Sequence, residues 1–151
     1  MKQLILHNVR SHYNVGAMFR TADGAGVARV FLAGITPSPI DRFGRPVPEI
    51  HKTALGAELE IPWEVVSDII PLIKKLQSEG VQVVAVEQSG TSVVLSDFKV
   101  PPSVAYIMGS ETEGLPAEIL EAVDVMVEIP MLGKKESLNV SVAAGIVLYH
   151  S

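Results

Sequence analysis

The sequence predicts an α/β fold with a mainly parallel sheet flanked by helices, and three observations lead to that prediction. Short β-branched apolar runs alternate along the chain with segments of helical periodicity. Two of the runs, residues 81–86 and 104–108, are apolar almost throughout, as expected of strands that helices cover on both faces. The length of 151 residues, 48% of them hydrophobic, suits one globular domain with a single sizeable core.

The predicted strands are short apolar runs rich in β-branched residues. They are Gln3–His7, Val30–Ala33, Val81–Val86, Val104–Met108 and Val125–Ile129. The predicted helices, from the spacing of apolar residues, are Val15–Ala25, Val65–Ser78, Pro116–Ala122 and Val140–Tyr149. Prolines and glycines predict a long loop over Gly34–Pro48, which contains Asp41, Arg42 and Arg45. A loop of this length in a compact domain is more often functional than idle.

Composition excludes several classes of site. Cysteine is absent, so disulfides, thiolate metal ligands and a catalytic cysteine are excluded. The four histidines lack metal-ligand spacing, and no metal is expected. The N-terminal residues lack the apolar stretch of a secretory signal, and no run approaches the roughly 18 apolar residues of a membrane span. We therefore expect a soluble cytoplasmic protein without membrane contact.

Charge is distributed unevenly along the chain. The net charge of −5 argues against a protein that holds nucleic acid by bulk electrostatics alone. Residues 1–55 nevertheless carry a net charge of +4, residues 56–128 carry −10, and the remainder carries +1. This pattern is either scatter on a solvated surface or places an anionic ligand near the first third and the end of the chain.

A first polar segment, residues 8–23 (NVRSHYNVGAMFRTAD), is predicted to run from the first strand into the first helix. If Asn14 caps that helix, its side chain satisfies a backbone N–H, and the helix N-terminus favours an anion. Arg20 follows about two turns later, on a different face. Taken alone, Asn14 also suits a simple cap, and Arg20 suits a surface ion pair.

A second segment, residues 107–116 (IMGSETEGLP), directly follows a predicted buried strand. Gly109 and Gly114 allow the backbone to turn sharply and to approach a ligand closely at the carboxyl end of the strand. The spacing matches neither the dinucleotide fingerprint nor the P-loop, and Glu111 and Glu113 would repel phosphates. The loop therefore suits a ligand with hydroxyls or positive charge, unless it is only a tight turn with solvated glutamates.

A third segment, residues 129–144 (IPMLGKKESLNVSVAA), combines a strand end, a loop and the start of the last predicted helix. Either Ser137 or Asn139 is a reasonable N-cap for that helix. Free backbone N–H groups and polar side chains would then face one point. An ordinary capped core helix is the alternative.

In their order, the three segments resemble the motifs of the SpoU family in the SPOUT methyltransferase superfamily. The family blocks are N…N-x-G-x-x-x-R-T-A/C-D, M/F-G-x-E-x-x-G-L and I-P-M-x-G-x-x-x-S-L-N-V-S-V-A. The resemblance extends from Leu4 to Tyr149. Two departures are minor: Ala22 stands where family members often have Cys, and Ser110 stands where Asn is frequent.

The resemblance implies a SPOUT fold whose C-terminal segment forms a deep trefoil knot, a rare exception to the rule against knots. It implies a single catalytic domain over residues 1–151 without an N- or C-terminal RNA-binding extension, and a homodimer. It also implies an S-adenosylmethionine-dependent methyltransferase acting on a ribose 2′-hydroxyl of tRNA or rRNA, without metal. The implied cofactor contacts are Val86, Glu87, Met108, Gly109, Ile129, Met131, Ser137 and Leu138.

By the same resemblance, Arg20 lies at the reacting hydroxyl. A guanidinium resists deprotonation, so we expect Arg20 to orient the oxygen and stabilise its developing charge while a substrate phosphate or water takes the proton. Glu111 would hold Arg20 or Asn14 in place, and Asn14 would complete the pocket. Ser137 and Asn139 would hold a substrate phosphate or the cofactor. RNA would be bound mainly through its phosphates, by the basic first third of the chain and by the loop Gly34–Pro48.

Three other functions fit the residues less well. A SPOUT base methyltransferase is disfavoured, because Arg20, Ser137 and Asn139 match the ribose-modifying branch. A non-catalytic RNA-binding or assembly factor would be signalled by loss of Arg20, Asn139 or the glycine loop, and none is lost. A nucleotide-binding oxidoreductase lacks its dinucleotide fingerprint.

Overall fold

The computed structural model describes residues 1–151, and its centre is one seven-stranded sheet. The strands are β1 (Lys2–His7), β2 (Val27–Ala33), β3 (Trp63–Val66), β4 (Gln82–Val86), β5 (Val93–Val94), β6 (Val104–Met108) and β7 (Val125–Glu128). Their order across the sheet is β3-β2-β1-β6-β4-β7-β5. Every neighbouring pair is parallel, which confirms the predicted α/β class.

Helices cover both faces of the sheet and create two apolar cores. The helices are α1 (His12–Gly24), α2 (Pro48–Ala54), α3 (Ala57–Glu60), α4 (Ile69–Ser78), α5 (Ala117–Ala122) and α6 (Val140–Tyr149). Leu4 and Leu6 of β1 pack in the core with α1, α2, α3 and α6, whereas Ile5 packs in the core with α4 and α5. Because alternate strand residues point to opposite faces, β1 is apolar throughout its fully buried centre.

The predicted helix over Val65–Ser78 is wrong at its start. Val65 and Val66 belong to β3, where they pair with β2, and α4 begins only at Ile69. The side chain of Asp68 accepts a hydrogen bond from the backbone N–H of Ile70 at 3.1 Å and caps the helix. Strand pairing, a tertiary interaction, therefore decides the state of residues 65–66.

Five short elements are not predicted by the sequence pattern: α2, α3, β3, β5 and a 3₁₀ helix at Leu95–Asp97. None has more than seven residues, and segments of this length are not stable without tertiary packing. The loop predicted from Gly34 contains no helix or strand up to Val47, and α2 begins with Pro48 in its first helical position.

The parallel arrangement places the carboxyl ends of all strands at one edge of the sheet. The three motif segments follow β1, β6 and β7, so all three begin at this edge. Open α/β sheets bind their ligands at this position. None of the helices has the combined length and apolarity needed to span a membrane.

Candidate active site

A cavity of about 310 Å³ lies at the carboxyl ends of β4, β6 and β7, against the start of α6. Its wall contains all eight residues predicted to contact a cofactor: Val86, Glu87, Met108, Gly109, Ile129, Met131, Ser137 and Leu138. These residues come from three segments that are far apart in the chain. The fold therefore brings them around one space large enough for a small organic ligand.

The wall combines apolar surface with negative charge. Its apolar residues are Val86, Met108, Ile129, Met131, Leu138, Val140 and Ala143. Its charged residues are four glutamates, Glu87, Glu111, Glu113 and Glu128, and it contains no Lys, Arg or His. This combination suits a ligand with a flat apolar part and a positive charge, and it disfavours a chain of phosphates.

Glu87 connects two parts of the cavity wall. Its Oε2 accepts a hydrogen bond from the backbone N–H of Leu115 at 2.8 Å. Its own backbone N–H donates to the carbonyl of Val127 at 3.0 Å. The sequence indicated Glu87 only as a cofactor contact, and its role in holding the loop after β6 had no signal in the sequence.

Glycine is required at two points of the loop after β6. Gly114 has φ +67°, and a Cβ there would lie 2.7 Å from Glu87 Oε2. A Cβ at Gly109 would lie 2.9 Å from both the backbone carbon of Gly114 and Cγ of Leu115. A Cβ at Gly109 would meet backbone, and one at Gly114 would displace the Glu87 carboxylate, so the loop folds tightly on itself and on Glu87.

Three of the predicted catalytic residues form a connected polar chain. Asn14 Nδ2 donates a hydrogen bond to Glu111 Oε1 at 3.2 Å. Asn139 Nδ2 donates to Asn14 Oδ1 at 3.5 Å. Each of the three motifs contributes one residue, and Glu111, which lines the cavity, connects this chain to it. Of the two partners considered for Glu111, Arg20 and Asn14, the structure places Asn14 against it.

The prediction that Asn14 caps the first helix is wrong. The helix begins earlier, and the cap is Ser11, whose Oγ accepts a hydrogen bond from the backbone N–H of Asn14 at 3.1 Å. The side chain of Asn14 is therefore available to Glu111.

In α6 the cap is Asn139, whose Oδ1 accepts a hydrogen bond from the backbone N–H of Ser141 at 2.8 Å. Ser137, the other candidate cap, lies on the cavity wall.

Arg20 lies apart from this group. Its side chain is exposed on α1 and makes no hydrogen bond or ion pair, and it does not line the cavity. Arg20 is six residues after Asn14, about 9 Å along the helix axis. Its neighbour Thr21 borders a shallow groove between α1 and α6, which is lined by Ala17, Thr21, Ser141, Val142, Gly145, Ile146 and Tyr149.

Burial shifts the pKa of two groups outside the cavity wall, His7 and Tyr106. Burial lowers the pKa of His7, at the end of β1, below 6.5, and its Nδ1 has no hydrogen-bond partner. Burial likewise raises the pKa of Tyr106, in β6, above 10.0.

No group of three or more His, Asp or Glu side chains is arranged to hold a metal ion.

Comparisons with known proteins agree with this geometry. The sequence profile described as the SpoU rRNA Methylase family matches residues 1–149. The 23S rRNA (guanosine-2'-O-)-methyltransferase RlmB of Neisseria meningitidis is 35% identical over 145 residues, which is 96% of this chain and 55% of that protein. The chain thus spans about half the length of this relative.

Solved structures show the same fold. The AdoMet-bound rRNA methyltransferase from Sinorhizobium meliloti has a TM-score of 0.87 and 31% identity, covering 99% of this chain and 54% of that one. The A. aeolicus TrmH/SpoU tRNA modifying enzyme has a TM-score of 0.86 and 28% identity, covering 99% of this chain and 72% of that one. The match over residues 1–149 shows that the chain belongs to the SpoU rRNA methylase family.

Proposed function

We propose that this chain is an S-adenosylmethionine-dependent RNA methyltransferase that transfers a methyl group to a ribose 2′-hydroxyl of tRNA or rRNA. The main support for the proposal is that all eight residues expected to contact the cofactor line one cavity. The names of its relatives, an rRNA 2'-O-methyltransferase and an AdoMet-bound rRNA methyltransferase, support the same activity.

The cavity suits S-adenosylmethionine chemically. Its apolar wall fits an adenine ring, and backbone groups at Met108, Gly109, Ile129, Met131 and Leu138 would hold the adenine and ribose. Its four carboxylates favour the positive sulfonium and ammonium groups of this cofactor. S-adenosylmethionine supplies an electrophilic methyl group, so the residues of the chain have to align the hydroxyl and assist loss of its proton.

Two hydrogen bonds hold a preorganised polar group beside the cavity, formed by Asn14, Glu111 and Asn139. With Ser137 on the wall, Asn139 would hold a substrate phosphate or the cofactor. Arg20 would donate to the 2′-oxygen and stabilise its charge as the new oxygen–carbon bond forms and the carbon–sulfur bond breaks. The proton passes to a substrate phosphate or to water, because the guanidinium keeps its own protons.

We further propose that the groove between α1 and α6 is the interface of a homodimer. Val142, Ile146 and Tyr149 are apolar residues of α6 that are 50%, 40% and 63% exposed along this surface. Such a cluster of exposed apolar side chains is typical of protein interfaces. Arg20 precedes Thr21, which lines the groove, and does not line its own cavity, so a two-fold axis at the groove would let Arg20 serve the cavity of the partner protomer.

The strand order supports the proposed knot. β5 lies outside β7, although it precedes β6 in the chain. The connection from β4 to β6 thus includes a strand that pairs with the far side of β7, and α6, which follows β7, packs in the same core as α1. We propose that the chain after β7 threads this connection. We propose that residues 1–151 act as one catalytic domain, in the cytoplasm where bacterial tRNA and rRNA are processed.

The experiment is methyl transfer from labelled S-adenosylmethionine to unmodified 23S rRNA and to unmodified tRNA, in the presence of a chelator. Digestion to nucleosides and mass spectrometry should identify a 2′-O-methylnucleoside. A base-methylated nucleoside would instead favour the base methyltransferase. Cofactor binding without any transfer would favour the RNA-binding factor. Mapping 2′-O-methyl groups in cells with and without the gene would then identify the nucleotide.

A further inference from the structure

The tip of the loop between β2 and α2, residues 41–45, carries an exposed aromatic ring with two arginines close to it. We propose that this tip is a stacking platform for an unpaired nucleobase of the RNA, with Phe43 as the residue that recognises the base. This inference rests on the proposed function, because it assumes an RNA substrate. The same loop is expected to contact phosphates. The proposal adds a stacking contact, which duplex RNA cannot make.

Both guanidinium groups lie close to the ring of Phe43. The Arg42 Cζ lies 4.9 Å from the centroid of the Phe43 ring, and the Arg45 Cζ lies 5.0 Å from it. Phe43 is 66% exposed and belongs to neither apolar core. Unpaired bases of RNA stack on aromatic rings and on guanidinium planes, and the tip of the loop carries both kinds of group.

The turn that presents Phe43 is internally fixed. Asp41 Oδ1 accepts hydrogen bonds from the backbone N–H groups of Phe43 and Arg45 at 2.8 and 2.9 Å. The Arg45 carbonyl accepts from the Asp41 N–H at 2.8 Å, and Gly44 supplies φ +77°. Because the backbone of the turn is fixed in the free protein, the loop loses little conformational freedom when a base stacks on Phe43.

The base of the loop is attached to the segment that carries Asn14. Asn8 Oδ1 accepts a hydrogen bond from the Ile35 N–H at 3.0 Å. Thr36 Oγ1 accepts from the Val9 N–H at 3.2 Å. β2, from which the loop starts, lies two strands from β6, a separation of about 10 Å at the usual strand spacing. The loop therefore starts at the same edge of the sheet as the cavity, two strands away from β6.

The charge of the chain favours a contact of this kind. The cavity wall is acidic and the net charge is −5, so bulk attraction to phosphate is weak. Stacking is independent of salt-sensitive charge contacts and is worth about tenfold or more in affinity per base. In a duplex the bases are already stacked and paired, so the platform selects unpaired RNA.

The test compares Phe43→Leu, which keeps an apolar side chain without a ring, with Phe43→Trp, which keeps a stacking surface. Leu59→Ala, at another exposed apolar position, is the control. The probes are oligo(A) of about ten nucleotides and an RNA duplex of the same length, with binding measured by fluorescence anisotropy. Phe43→Leu should weaken oligo(A) binding about tenfold and leave duplex binding unchanged. Phe43→Trp and Leu59→Ala should bind both probes like the wild type.

The proposal is overturned if wild-type protein fails to bind oligo(A), if Phe43→Leu binds it equally well, or if Phe43→Leu loses duplex affinity to the same extent. Cofactor binding and methyl transfer measured on the same wild-type preparation separate this outcome from failure of the proposed function. Wild-type protein that lacks both activities but gives the expected oligo(A) result would overturn only the methyltransferase assignment. Thermal midpoints show whether each variant is folded.

Discussion

The carboxylate of Glu87 accepts a hydrogen bond from the backbone N–H of Leu115 at 2.8 Å, across 28 residues of sequence. This bond joins the segment after β4 to the loop after β6, and both line the cavity. One side chain therefore sets the separation of two cavity walls. The backbone of Gly114 packs directly against the same carboxylate.

Replacing Glu87 by Ala should weaken S-adenosylmethionine binding about tenfold. A hydrogen bond to a charged group contributes about 1.5 to 3 kcal/mol, and its loss releases the loop. Glu87→Gln keeps an oxygen that can accept from Leu115, so it should retain more affinity than Glu87→Ala. Calorimetry measures the affinities, and Glu79→Ala, at an exposed glutamate after α4, is the control. Equal affinities for wild type and Glu87→Ala would contradict this role.

Gly114→Ala should lose cofactor binding, because its new Cβ would collide with the Glu87 carboxylate. Gly80→Ala is a matched control: Gly80 has φ +82°, and a Cβ added there would meet no atom within 4 Å. Both variants should lose about 1 kcal/mol of stability from the left-handed backbone. Thermal unfolding and calorimetry should therefore show similar stability losses but a loss of binding in Gly114→Ala alone.

Asn139 combines two roles that its variants can separate. Asn139→Asp keeps the oxygen that caps α6 but loses the amide donor to Asn14, so turnover should fall about tenfold or more while the thermal midpoint stays near the wild type. Asn139→Ala should also lose about 1 kcal/mol of stability with the cap. Ala144→Gly, in the buried body of α6, should lose stability of about the same size and keep its turnover per folded molecule. Full turnover in Asn139→Asp would leave Asn139 a cap only.

Arg20→Lys should reduce turnover about 10²-fold or more, because Lys keeps the charge but lacks the planar fork of donors. Cofactor affinity should barely change, since Arg20 does not line the cavity. Mixed dimers of Arg20→Ala and Asn139→Ala protomers test the proposed dimer further. If Arg20 serves the partner cavity, mixing two inactive variants restores activity in one site of each mixed dimer. Undiminished turnover in Arg20→Lys would remove Arg20 from the chemistry.

His7 should make stability depend on pH. Its pKa in the folded protein lies below the ordinary value of 6.5, because burial disfavours the charged ring. Its contribution to stability is therefore complete above pH 6.5 and is lost as the pH falls from 6.5 through the folded-state pKa. Thermal midpoints measured across this range should fall less steeply for His7→Gln than for the wild type. His12→Gln, at an exposed histidine, should keep the wild-type slope.

Local patterns are sufficient to predict the longer elements. The strands around Leu4–Leu6 and Val104–Met108 are predicted from continuous apolar runs, and the helix Val140–Tyr149 from the spacing of its apolar residues. The junction at Val65–Val66 is predicted wrongly because pairing with β2 outweighs local propensity there. The α1 cap is also predicted wrongly, since both Ser11 and Asn14 are good cap residues and only the backbone path selects Ser11.

Residue type and spacing, which are local properties of the chain, were enough to predict the fold class and to identify the three motifs. The resemblance of those motifs then indicated the eight residues that line the cavity. Tertiary structure was needed to show that Asn14, Glu111 and Asn139 contact one another, that Glu87 holds the loop at Leu115, and that Arg20 lies outside the cavity of its own chain. These relationships depend on strand order and register, which bring distant segments within hydrogen-bonding distance. A hydrogen bond between residues tens of positions apart leaves no periodic or local signal in the sequence.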